Sequence, residues 1–134
     1  MKTDIWQLQP SDIILSERKL AKSRFVYDNG LYRQNIIIAP LDQGFAIVDG
    51  NHSAYAAYEQ GLVNIKSYIE NREIENIPSI ISRGITKISD LSDRIVSHEE
   101  WMRKSLHSSN FEDELSDDEF FDQYPEIEIF CSYR

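Results

Sequence analysis

Residues 49–53 gather several reactive group types in one short stretch, Asp49-Gly50-Asn51-His52-Ser53. A carboxylate can hold a cation, an imidazole can move a proton, and an amide and a hydroxyl can donate hydrogen bonds to anionic oxygen. Gly50 lets the backbone approach a ligand with no Cβ in the way. The apolar run Phe45 to Val48 reads as a strand ending at this turn. The segment after it, rich in small residues at Ser53, Ala54, Ala56 and Ala57, reads as a helix over 51–60 closed by Gly61 as a left-handed C′ residue. A strand, a glycine turn and a helix start form a recurrent anion site, because first-turn amides lack intrahelical acceptors and the helix dipole favours negative charge there. The spacing predicts that Gly50, Asn51, His52 and Ser53 line a phosphate-sized site. His52 is expected to gain charge, and anion affinity to rise, as pH falls from about 7.5 to 6. Asp49 and His52 are the candidate catalytic groups, although one carboxylate by itself reads as turn-stabilising before it reads as a magnesium ligand.

The elements that would position this turn come from patterning. Ile5 to Leu8 alternates and reads as a first strand, followed by a turn at Pro10-Ser11-Asp12. Ser16 suits the cap of a short helix over 17–20. Asn35 to Ala39 is a β-branched run, read as a buried strand, and Pro40 to Gly44 is a hairpin connection to Phe45. Ile65 to Ile69 alternates, with Ile65, Ser67 and Ile69 on one face. Asn76-Ile77-Pro78 marks a boundary. Ile88, Leu91 and Ile95 fall at the spacing of an amphipathic helix. Ser97 with Glu100 forms a capping box for a helix over 98–106, and Ser116 with Glu119 repeats it before Phe120-Phe121. Glu126 to Tyr133 alternates as a last strand. The expected fold is α/β (α+β): a small mixed sheet with the 51–60 helix packed on it, then a C-terminal helical extension and strand. The boundaries are a core over 1–70 and an acidic extension over 71–134, packed together as one domain.

Composition narrows the function classes. The chain has 134 residues and a net charge of −9. Residues 1–70 are nearly neutral, with 7 basic and 8 acidic residues, whereas 71–134 hold 7 basic and 15 acidic ones. Such a surface repels nucleic acid phosphates, so tight duplex DNA binding is not expected. No apolar run is long enough to span a bilayer, and the start MKTDIWQLQP lacks a signal-peptide core, which reads as a cytoplasmic protein without a membrane. Cys131 is the single cysteine, so no internal disulfide forms, and it reads as a small hydrophobe. No metal site is expected. His98 and His107 read as surface residues, Tyr55 and Tyr58 as packing residues. Ser11, Ser16 and Ser53 show no Ser-His-Asp pattern.

Residues 112–128 contain nine carboxylates and no basic residue. A solvated acidic face is the plain reading. Phe111, Phe120, Phe121 and Tyr124 among Asp117, Asp118 and Glu119 also suit an interface for a basic protein partner, with aromatic anchors inside a charged rim.

The central pattern resembles the ParB/sulfiredoxin superfamily. That family places strand, hairpin and strand before a DGHHR-like turn that opens a helix. Here the turn reads Asp49-Gly50-Asn51-His52-Ser53, followed by Ala54, Ala56, Ala57 and Gly61 and then the strand Ile65 to Ile69. The likeness covers residues 5–70. It implies a nucleotide pocket for ATP or CTP with Mg, with Gly50 as the phosphate-turn glycine and Asn51 and His52 facing the phosphates. The family includes partition CTPases, sulfinic acid reductases and free-serine kinases, so the resemblance implies a phosphotransferase or nucleotidase. The alternative is a non-catalytic member acting as an acidic protein–protein interaction (antitoxin/immunity or regulatory) protein. The retained Asp49-Gly50-Asn51-His52 turn favours the first reading, and the departure at Ser53 favours the alternative. The family's Arg is Ser53 here, which cannot bridge phosphate oxygens as a guanidinium does. The sulfiredoxin cysteine is replaced by Asn51, and Arg33 is the nearest cation before the Asn35 strand.

Overall fold

A computed structural model describes residues 1–31, 35–107 and 111–127, the side chains of 111–113 excepted. Seven strands and five helices are described: β1 (Lys2–Asp4), β2 (Leu8–Gln9), β3 (Leu15–Ser16), α1 (Glu17–Asp28), β4 (Ile36–Pro40), β5 (Phe45–Asp49), α2 (Asn51–Glu59), β6 (Asn64–Ile69), α3 (Ile77–Ser82), β7 (Ile95–Val96), α4 (His98–Lys104) and α5 (Phe111–Gln123). The larger sheet runs β1-β6-β4-β5-β2. It is mixed: β4 is antiparallel to β5 and parallel to β6, while β1 is antiparallel to β6 and β2 parallel to β5. A second, two-stranded sheet pairs β3 with β7 in parallel. The fold is therefore a small α+β arrangement.

The centre of the chain folds as its local signals direct. The β-branched run Ile36 to Ile38 becomes the middle strand, with Ile36 and Ile38 buried. In β6, Ile65 and Ser67 are buried while Lys66 and Tyr68 are exposed, and Ile69 is exposed at the strand end. Helix α2 buries Ala54, Ala56 and Ala57, and its backbone lies close to α1 and to the turn Ile88–Leu91. It closes in a Schellman turn: Leu62 N–H donates to the Ala57 carbonyl at 3.1 Å, Gly61 N–H to that of Tyr58 at 3.0 Å, and Gly61 sits at φ +77°. Helix α1 lies alongside α2 with their N-termini at the same end. Ser16 meets His52 there, and Arg24 makes a two-pronged ion pair with Glu59 at the other end, at 2.8 and 2.7 Å.

Four flanking elements differ from expectation. Ile5–Gln7 is a 3-10 turn, because the Asp4 carboxylate accepts from Trp6 N–H and breaks the strand between β1 and β2. Ile88 and Leu91 are fully buried, but in a single 3-10 turn whose start is held by Asp90 accepting from the Thr86 and Lys87 amides; Ile95 then leaves into β7. Ser116 lies inside α5, which starts at Phe111, so it opens no helix. Pro125–Ile127 is a 3-10 turn at the start of the expected last strand. The remainder of that strand, with Cys131 and Tyr133, and also Arg33, lie outside the described residues. By contrast, Ser97 caps α4 as expected, accepting from Glu100 N–H at 3.2 Å. Ser16 caps α1, which extends well past residue 20.

Most of the core is one cluster between the sheet and the helices. Ile5, Leu8 and Ile47 from the first half meet Ile80, Ile88 and Leu91 from the second. A satellite cluster of Ala21, Phe25 and Ile127, with Phe120, Phe121 and Tyr124 packed on it, holds α5 against α1.

Candidate functional site

The turn before α2 has the backbone that its sequence asks for. Gly50 sits at φ +123°, a conformation that L side chains rarely adopt. A Cβ on Gly50 would lie 2.8 Å from the Ile36 Cβ and nearer still to its Cγ2, so the glycine also admits the close approach of β4. The first helical bond of α2 runs from Ala54 N–H to the Gly50 carbonyl at 2.8 Å. Among the described residues, none accepts from the N–H groups of Asn51, His52 or Ser53. These three amides are the anion-binding equipment of the turn.

The side chains of the turn mostly face inward. Asn51 is buried; its Oδ1 accepts from Ser11 N–H at 3.1 Å and its Nδ2 donates to Ser11 Oγ at 3.0 Å. His52 Nε2 accepts from Ser16 N–H at 2.8 Å, which fixes the ring as neutral with its proton on Nδ1. Burial, and secondarily the charge of Lys19, push the His52 pKa down to about 3, against a smaller upward pull from Asp117. The imidazole therefore stays neutral between pH 7.5 and 6, contrary to the sequence expectation. Ser53 is half-buried, with its hydroxyl 3.5 Å from the Tyr27 hydroxyl. Asp49 is exposed beside the turn. The first turn of α2 thus brings Gly50, Asn51, His52 and Ser53 together. Asn51 and His52 act there as internal struts, and Ser53 is half-buried.

Sequence spacing did not reveal a second constellation beside His52. Ser16 Oγ accepts from Lys19 N–H and shares a hydrogen bond of 2.8 Å with His98 Nδ1, and His98 Nε2 lies 2.8 Å from Glu114 Oε1. The indole of Trp101 stacks on His98 and meets His52 edge-on, with centroids 5.7 and 5.6 Å apart, and the Lys19 ammonium lies 5.4 Å from its centre. Hydroxyl, imidazole and carboxylate in a row resemble an activated nucleophile. Ser16, however, has no exposed surface and its oxygen caps α1, so a substrate has no approach and the row acts as a strut joining α1, α4 and α5. His98, expected at the surface, is the middle of that strut. His107 is exposed as expected, yet its Nε2 donates to the Ser11 carbonyl at 2.7 Å and to Ser11 Oγ at 3.1 Å. No local signal marks these contacts, because Ser16 and His98 are 82 positions apart. A shallow cavity of about 610 Å³ opens next to the row, lined by Glu17, Arg18, Ser97, His98, Phe121, Asp122 and Pro125.

The acidic stretch finds cations within its own chain. Asp117 is buried and bonds Lys19 Nζ at 2.6 Å and Lys22 Nζ at 2.9 Å, while Asp118 bonds Arg18 at 2.5 Å. Burial pushes the Asp117 carboxyl up, but the hydrogen bonds from Lys19 and Lys22 outweigh it and its pKa is lowered. Phe120 and Tyr124 pack on Phe25, and Phe121 lies under the Arg18 guanidinium. Glu119 and Asp122 face outward. Among the described residues, no group of three or more His, Cys, Asp or Glu side chains is arranged to hold a metal ion. No described helix is long and apolar enough to cross a membrane.

No family model matches the sequence, and no curated protein does. The fold is similar to that in the crystal structure of protein Atu1540 from Agrobacterium tumefaciens, with a TM-score of 0.50 and 14% identity over 68% of this chain. This chain spans 60% of the length of that one, and at such identity the likeness concerns the fold alone.

Proposed function

We propose that this protein is a ParB/sulfiredoxin-like phosphate-binding protein that takes the phosphate end of a nucleotide, ATP or CTP, on the first turn of α2. One observation carries the reading: the amides of Asn51, His52 and Ser53, with no described acceptor, follow a glycine held at φ +123°. The Ser53 hydroxyl adds a donor, and exposed Asp49 supplies a carboxylate for a magnesium ion accompanying the nucleotide. His52 is a poor general base here, since taking a proton at Nε2 would break its bond from Ser16 N–H. Binding therefore ranks ahead of phosphotransferase or nucleotidase chemistry. Calorimetric titration with ATP and CTP, with and without magnesium, tests this. Wild type should bind weakly and equally at pH 7.5 and 6, because the imidazole stays neutral. Ser53→Arg, which restores a guanidinium to the turn, should tighten binding about tenfold. If neither protein binds either nucleotide at millimolar concentration, the turn is purely structural.

A second reading has its own observation. The inward side chains of Asn51 and His52 leave the turn without a cation, as suits a non-catalytic member that acts by binding a protein. In that case exposed Glu119 and Asp122 form the rim for a basic partner, and reversing both to Lys should slow association more than dissociation.

A further inference from the structure

Strand β1 is an outer strand of the five-stranded sheet, and among the described residues no strand pairs with its far side. Met1 and Ser67 exchange both backbone bonds between β1 and β6. Ser67 N–H donates to the Met1 carbonyl at 2.8 Å, and the Met1 ammonium donates to the Ser67 carbonyl at 3.2 Å. Bonded and non-bonded pairs alternate along an antiparallel ladder, so Thr3 with Ile65 is the next bonded pair. The N–H and C=O groups of Lys2 and Asp4 therefore point away from β6, at the open edge. Both residues are exposed, on the face opposite buried Thr3. Lys2 stands directly across from Lys66, an unfavourable like-charge pair, and Asp4 across from Asn64. Neither meets an opposite charge across β6. The Asp4 carboxylate is held in place by Trp6 N–H, which donates to its Oδ1 at 2.8 Å.

We propose that this edge is the interface of a two-fold dimer: β1 pairs antiparallel with β1 of a second copy, Lys2 opposite Asp4, and one sheet continues through both copies. The placement of the two charges carries it. About an axis at Thr3, Lys2 meets the partner's Asp4 and Asp4 meets the partner's Lys2. These are also the residues whose backbone groups are open. The one register therefore makes both the backbone bonds of the new ladder and two ion pairs. Each Lys2 gains a carboxylate on the side away from Lys66. An edge guarded by lysines alone repels its own copy, whereas Lys2-Thr3-Asp4 is self-complementary. The surroundings agree. Residues 1–70 hold 7 basic and 8 acidic residues, so this half adds little to the repulsion that a net charge of −9 sets between copies. Met1 and Trp6, 59% and 55% exposed, flank β1 at its two ends. In this register each Met1 falls opposite the partner's Ile5, next to the partner's Trp6. The assignment does not depend on nucleotide binding at the α2 turn.

Sedimentation velocity of the untagged full chain, at up to about 0.1 mM because so small a contact belongs to the weak class, tests this. Wild type should pass reversibly from monomer to dimer as concentration rises. Lys2→Asp and Asp4→Lys each set like charges across the pairing, and each alone should weaken the dimer about tenfold. Mixed together, the two variants should form a heterodimer, since each offers the charge that the other lacks. Asp4→Lys also loses the acceptor for Trp6 N–H. If circular dichroism shows that variant unfolded, Lys2→Pro against Lys2→Gln decides. Both remove the charge, but only proline removes the N–H that faces the open edge, which takes no part in the β6 ladder. Lys2→Pro should therefore weaken the dimer about tenfold further, two such bonds being lost per dimer. A wild type that stays monomeric overturns the proposal. So does a dimer that Lys2→Asp leaves unchanged, a pair of folded charge variants that stay apart when mixed, or equal dimers from Lys2→Pro and Lys2→Gln.

Discussion

His52 and Gly50 are each fixed by one neighbour, and each makes a measurable prediction. The folded pKa of His52, down to about 3, lies below the unfolded value of 6.5. Between these values the unfolded chain binds the extra proton, so stability is full above about pH 6.5 and is lost as pH falls. From pH 6.5 to 5 the loss is about 1–2 kcal/mol. Urea midpoints at pH 7 and 5 should show it in wild type, and His52→Gln, which keeps an acceptor for Ser16 N–H but does not titrate, should flatten the difference. Asp117 does not confuse this window, since its lowered carboxyl titrates at more acidic pH. Gly50→Ala adds a Cβ against Ile36 in a backbone conformation unsuited to it, and should cost about 2–3 kcal/mol. Gly61→Ala also meets a positive φ but has nothing within 4 Å of its Cβ, so about 1 kcal/mol is expected there. Equal losses at the two positions would show that the contact with Ile36 contributes nothing.

At the scale of elements, what was legible in the sequence divides by range. The run from β4 to β6 was readable because its signals are local: three isoleucines in a row, Asp49-Gly50, small residues, and Gly61 at the helix end. The partners of that turn were not, because Asn51 and His52 are satisfied by Ser11 and Ser16, 40 and 36 positions earlier. Likewise the acids of α5 suggested a basic partner, but the cations that meet them are up to 100 positions away in the same chain. Ile88, Leu91 and Ile95 misled because helical spacing records which residues turn inward, and a 3-10 turn followed by a strand pair buries the first two as well. The α1–α5 pairing carries its own prediction. Asp117→Ala would leave Lys19 and Lys22 without their closest carboxylate under a mostly buried contact. A loss of about 2 kcal/mol is expected, below that of a fully buried pair because the lysines are partly solvated. The replacement Asp118→Ala, at a carboxylate with 59% of its side chain exposed, should change stability by less than about 0.5 kcal/mol. Chemical denaturation of both variants at pH 7 gives the comparison, and equal losses would mean that burial does not set the worth of these pairs.

Across the whole molecule, the two halves complete one another's burial. Ile80, Ile85, Ile88 and Leu91 have no exposed surface and share a cluster with Ile5, Leu8 and Ile47, so neither half has a closed core without the other. Polar groups are shared in the same way. Asp12 is 2% exposed, and besides the neighbouring Ile13 amide its carboxylate takes donors from Ser105 Oγ at 2.5 Å and Leu106 N–H at 3.1 Å. Gln9 Nε2 donates to the Ile85 carbonyl at 2.8 Å, and β3 has β7 as its strand partner. Opening residues 71–107 alone would take from a buried carboxylate and a buried amide of the first half their long-range partners and expose its apolar face. Residues 1–107 should therefore unfold in a single step, α5 being the part that rests on a separate apolar cluster. Two probes test this in a urea titration. Far-UV circular dichroism reports the secondary structure of the entire chain. Tryptophan fluorescence reports mainly Trp101, which is 4% exposed in the second half, since Trp6 is already 55% exposed when folded. The two curves should share one midpoint. A fluorescence transition that precedes the circular dichroism one would show residues 71–107 leaving a core over 1–70 that stands without them, and the shared cluster would then not hold the halves together.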